Sequence, residues 1–129
     1  MTTPDIELLM PFAIEWEKRD GATALVKTDG SASVWAQLPA GFVYQIVIQN
    51  NVGTNLWLYS NDTFSTSGRT MMNADGGGSS ISDGERKTFT VVARHGKRTV
   101  IHISPLSGSM GTLGGTAVAR VIPMPLISA

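Results

Sequence analysis

An all-β chain, an antiparallel two-sheet β-sandwich or jelly roll, is the fold class the sequence predicts, and three observations carry the expectation. Large apolar residues recur at every second position, as at Phe42, Tyr44, Ile46 and Ile48, the spacing that sends side chains to one face of a strand. Clusters of Gly, Asn, Asp, Ser and Pro separate the runs, as turns require. The number of runs, seven or eight in 129 residues, suits two packed sheets around one core.

Residues 1–20 read as an N-terminal arm or an added strand. Ile6, Leu8, Leu9, Met10, Phe12, Ile14 and Trp16 alternate there with charged residues. Pro11 has no N–H to donate and pushes Met10 out of the helical region, so a helix is disfavoured. From Phe12 to Trp16 the period is two, which suits a strand with one covered face.

Residues 21–122 form the predicted sandwich domain. Runs over 22–28 and 33–38 come first, the second closed by Pro39-Ala40-Gly41, followed by a third at 42–49. Asn50 to Asn55 make a turn, because Asn and Gly tolerate positive φ, and 56–59 return as a fourth strand. Residues 60–84 are poor in apolar side chains and read as a long loop, most flexible at Asp75-Gly76-Gly77-Gly78, with a short strand near 69–72. A loop of that length inside a compact domain is usually functional. A hairpin follows, 86–94 and 98–104 about a tight turn at His95-Gly96-Lys97, then a Gly- and Ser-rich loop over 105–115 and a last strand at 116–122. Pro123 and Pro125 open an expected C-terminal tail, 123–129, because proline cannot donate to a ladder.

Charge is sparse and unevenly placed. Charged residues make up 16% of the chain, below the roughly 25% of an average domain, so part of the surface is expected to face a partner. Net charge is zero, which gives no overall field to attract nucleic acid or an anionic membrane. Residues 1–83 hold nine acids and four bases, residues 84–129 one acid and six bases, a split of −5 and +5. Either the two halves mix their charges within one fold, or subunits complement each other head to tail. With no cysteine there is neither a disulfide framework nor a thiolate metal site. No apolar run is long enough for a membrane span, and the acidic start lacks the basic region of a signal peptide, so a product made in and soluble in a cytoplasm is expected.

Four pieces in fixed order carry a family resemblance. They are Ile46-Val47-Ile48-Gln49-Asn50-Asn51; Thr54-Asn55-Leu56-Trp57-Leu58-Tyr59; Ile81-Ser82-Asp83-Gly84-Glu85 running into Phe89-Thr90-Val91; and Ile101-His102-Ile103-Ser104 followed by Gly114-Gly115-Thr116-Ala117-Val118-Ala119-Arg120-Val121. In that order they resemble the small β-sandwich virion structural proteins of tailed bacteriophages, of the capsid decoration, cement or head-fibre type. The resemblance spans roughly residues 42–122, and the 60–84 loop departs from it. It implies a non-enzymatic protein on the outer capsid surface, with the major capsid protein and copies of itself as partners, a trimer favoured, and no nucleic acid, membrane or cofactor.

Catalytic and metal patterns are not found in the residues. His95 and His102 match no clustered ligand set, and their plainer roles are a solvated turn residue and a half-buried strand residue. No serine sits in a nucleophile elbow, and the glycine run at 76–78 lacks the Gly-Lys-Ser/Thr ending of a phosphate loop. Glu15 with Glu17, and Asp5 with Glu7, share a strand face but fit an exposed edge better than a glycosidase pair. The expected partner-binding residues are therefore Ile6, Leu8, Met10, Phe12, Ile14 and Trp16 of the arm and Met124, Leu126 and Ile127 of the tail, each segment adding to a neighbour's sheet edge. Trp57 and Tyr59, two apart, form a possible ligand surface, and with the 60–84 loop would serve a receptor- or carbohydrate-binding module, the alternative function. A cupin-like enzyme is the third and weakest reading, because jelly rolls host many functions. The basic residues Arg86, Lys87, Arg94, Lys97 and Arg98 fit a solvated or an interface hairpin, the arginines being suited to carboxylates of a neighbouring subunit.

Overall fold

The computed structural model describes residues 9–18, 25–31, 33–105 and 114–126. All regular structure there is β: β1 (Phe12–Lys18), β2 (Leu25–Lys27), β3 (Ala36–Leu38), β4 (Phe42–Asn50), β5 (Leu56–Asn61), β6 (Thr70–Met71), β7 (Ser80–Ile81), β8 (Arg86–Ala93), β9 (Thr99–Ser104) and β10 (Thr116–Pro125). They form two antiparallel five-stranded sheets. Sheet A runs β2-β1-β10-β4-β8, and sheet B runs β3-β9-β5-β6 with β7 also on β5. The expected two-sheet all-β architecture is what the chain adopts.

Alternation explains the packing. In β4, Phe42, Tyr44, Ile46, Ile48 and Asn50 are buried and the residues between them are half-exposed. β8 and β10 match it: Ile46 lies level with Phe89 on one side and Val121 on the other, all three fully buried. Sheet B faces them with Leu38, Leu56, Leu58, Ile101 and Ile103. Burying one such side chain stabilises the fold by about 1.5–3 kcal/mol before its ordering entropy is counted.

Of the two alternatives for the N-terminal segment, Phe12–Lys18 takes the added strand: β1 lies between β2 and β10, and Trp16 is fully buried with its Nε1–H donating to the Val34 carbonyl at 2.9 Å. The tail expected from 123 fails over 123–125, because β10 continues through Pro125, paired residue by residue with β4. The reason lies in the register. Leu126 N–H donates to Gly41 O and Asn51 N–H to Thr116 O, so even-numbered residues of β10 bond to β4 and odd-numbered ones face β1. β1 begins with Phe12, opposite Val121. Pro123 and Pro125 therefore lack a donor on the side turned away from β4, beyond the paired part of β1.

The Asn-rich turn works differently from expectation. Asn50 is fully buried at the end of β4, and its side-chain amide donates to Thr54 O (2.7 Å) and Ile81 O (2.8 Å) while its Oδ1 accepts from Val52 N–H (3.0 Å). It ties the turn to β7, and the positive φ falls to Gly53 (95°). The 60–84 loop is likewise pinned. At Asp75 the chain turns tightly, Ala74 N–H donating to Gly78 O (2.8 Å), and docks on β8 through Asp75 N–H to Thr88 O (2.8 Å) and Thr90 Oγ1–H to Asp75 Oδ1 (2.9 Å). Of the 105–115 loop, 106–113 lie outside the described residues.

Candidate functional site

Sheet B has an outer face as well as an inner one, and alternation sends Tyr59 of β5 and His102 of β9 there, directly opposite each other in the register. Trp35, just before β3, joins them: its ring centroid is 4.1 Å from that of His102, and the Tyr59 ring stacks on His102 at 5.3 Å. All three are nonetheless buried, His102 to 2% exposure. The loop seals them with Arg69, whose guanidinium lies 3.7 Å from the centre of the Tyr59 ring and whose Nη1 is 3.0 Å from His102 Nε2.

That contact fixes the histidine's chemistry. Arginine is a donor only, so Nε2 must offer a lone pair and the proton of the neutral ring sits on Nδ1. Burial, and then the Arg69 charge, hold the His102 pKa down to about 4 from 6.5. Nδ1 of His102 and the Tyr59 hydroxyl are the buried side-chain polar atoms with no hydrogen-bond partner among the described residues. Each such group costs about 1–3 kcal/mol. Among the described residues no group of three or more His, Asp or Glu is placed to hold a metal ion.

The outer face of sheet A is open. Met124, Val43 and Val92 lie side by side across β10, β4 and β8, and Ile122 follows two residues along β10. Met124 is 64% exposed, Ile122 47% and Val92 40%, on strands whose opposite face carries the buried Ala117, Ala119, Val121, Phe89, Val91 and Ala93.

Two clefts lie at the sides of the sandwich. One, of about 430 Å³, runs along β1 and is lined by Phe12, Ile14, Lys27 and Ala36. The other, of about 360 Å³, opens beside β8, with Met72, Val91 and Val92 as its apolar part, Arg94, Lys97 and Arg98 on the hairpin and Asp62 on the loop.

The sequence-expected site residues separate on this frame. Met10 and Met124 are exposed, Phe12, Ile14 and Leu126 half-buried, while Ile6, Leu8 and Ile127 lie outside the described residues. Trp16 is corrected to a core residue, because it faces inward on β1. The ligand surface of Trp57 and Tyr59 is corrected too: Trp57 is half-buried, and Tyr59 is buried with Arg69 on its ring. Sequence reasoning passed over Arg69 and left Trp35 open between packing and a stacking surface. His102 alternates with Ile101 and Ile103, which does signal an outward-facing residue, but its neighbours come from strand pairing. No family model, curated protein or solved structure matches the chain.

Proposed function

We propose that the chain is a non-enzymatic virion structural protein of a tailed bacteriophage, a decoration or cement protein that lies on the outer capsid surface, with the open face of sheet A against the major capsid protein. The observation that carries this reading is the apolar row of exposed Met124 and Val92 on either side of half-buried Val43, with exposed Ile122 beside it, held on the sheet. Contiguous exposed apolar side chains rimmed by polar ones are a feature of protein-binding surfaces. Gln45 and Thr90, hydrogen-bonded to each other at 2.8 Å, and Arg120 supply the polar surround. A modest contact of this kind becomes strong on a lattice, where many copies act together.

The test uses capsids from particles lacking this protein. Wild-type chain should co-sediment with them, and the Ile122→Asp/Met124→Asp double variant should stay in the supernatant while keeping its melting temperature. Undiminished co-sedimentation of the double variant would overturn the assignment of this face.

A further inference from the structure

The free edge of β8 carries an inference that goes beyond the capsid contact and concerns the chain alone. Asn50 N–H donates to Glu85 O and Gly41 N–H to Ala93 O, so odd-numbered residues of β8 bond to β4 and even-numbered ones point their main-chain groups away. Asp75 takes the Thr88 carbonyl. The next two even positions, Thr90 and Val92, have main-chain N–H and C=O groups with no partner among the described residues, since β8 is the last strand of sheet A. An unpaired edge of this kind is a template for another strand.

The surroundings select which strand. The edge opens into the cleft of Met72 and Val91, beneath Arg94, Lys97 and Arg98. Arg98 lies over the Phe64 ring at 4.9 Å, and none of the three cations is ion-paired among the described residues, whose salt bridges are Lys27–Asp29 and Lys87–Glu85. A fitting segment is extended, alternates apolar and acidic residues, and carries no base. Residues 4–8, Pro4-Asp5-Ile6-Glu7-Leu8, have that character: Ile6 and Leu8 share one face of a strand, Asp5 and Glu7 the other, and Leu9 behind them is half-buried against its own core. Within one chain the segment enters β1, which is separated from β8 by β10 and β4, about 14 Å at ordinary strand spacing.

We infer that the β8 edge and its basic cleft receive residues 4–8 of a second copy of this chain as an added strand. The contact joins the acidic start of one copy to the basic hairpin of the next, which gives the −5 and +5 halves a common purpose. Such a head-to-tail contact closes into a ring when its rotation permits.

The absence of cysteine makes the test clean. Chains bearing Glu7→Cys alone and Arg94→Cys alone, mixed and oxidised, should form a covalent heterodimer, and Glu7→Cys mixed with Ser31→Cys, on the turn after β2 at the opposite edge of sheet A, should not. In sedimentation of the otherwise native chain, association should weaken about tenfold for Asp5→Lys/Glu7→Lys and also for Val92→Pro, which removes only the outward-facing donor. A chain monomeric at every concentration would overturn the inference. So would association unchanged by these substitutions, or an Asp5→Lys/Glu7→Lys/Val92→Pro chain that still assembles. A disulfide formed within a single chain carrying both cysteines, with no linked dimer, would assign the edge to the chain's own segment and overturn it equally. None of these measurements involves capsids, so their failure is separate from failure of capsid binding.

Discussion

The outer face of sheet B and the outer face of sheet A are built by the same alternation and finished in opposite ways. On sheet B the chain lays Arg69 over Tyr59 and His102 and packs Trp35 beside them. On sheet A it leaves Met124, Ile122 and Val92 in water. Sealing the first face strands two polar atoms, His102 Nδ1 and the Tyr59 hydroxyl. The aromatic burial must outweigh that cost, so sheet B's outer face contributes to folding. The second face contributes little to folding and is free to meet a partner. Stability and recognition are thus divided between the two sides of one small domain.

The largest break in that division comes from Trp35→Ala. Trp35 is 5% exposed and supports the His102 ring, so its loss should cost about 3–5 kcal/mol in urea unfolding. An effect below about 1 kcal/mol would mean that the sealed face is no second core.

The next separates the faces by pH. His102 stays neutral when folded until about pH 4, whereas the unfolded chain takes up the proton near 6.5. Between those values the unfolded state binds more protons, so the contribution is complete above pH 6.5 and is lost as pH falls toward 4, about 3 kcal/mol in all. Urea midpoints at pH 7 and 4.5 should therefore differ more for wild type than for His102→Gln. Arg69→Gln should raise the His102 pKa followed by NMR, because one of the two depressing influences is gone. Equal acid sensitivity in wild type and His102→Gln would show that the sealed histidine does not govern it.

The smallest expected effect lies on the open face. Ile122→Thr and Met124→Ser should each change stability by no more than about 0.5 kcal/mol, since both side chains are already largely in water. A loss above about 1.5 kcal/mol from either would make that face structural.

Much of the architecture was legible in the sequence because period-two burial reads directly from composition. The runs at 42–49, 86–94 and 98–104 became β4, β8 and β9 within two residues at each end. Partnership was not legible, since it depends on contacts distant along the chain. Asp75 follows an apolar-poor stretch that looks flexible, yet Thr88 and Thr90, more than ten residues later, hold it in place. Trp16 looked like an adhesive aromatic because nothing local reveals that β10, a hundred residues on, will lie beside it. Arg69 and His102 illustrate the same gap at the site: each is unremarked alone, and only the β5–β9 pairing gives Tyr59 and His102 a common cover.

Pro123 and Pro125 have one more effect. If β10 slipped by a single residue against β4, both prolines would turn toward β4 at positions that need a donor, and two ladder bonds would vanish together. The same slip would carry Ala117, Ala119 and Val121 out of the core. Two residues that cost nothing in the native alignment thus penalise its nearest rival. They act as a register lock on the central strand that joins β1 to the rest of sheet A.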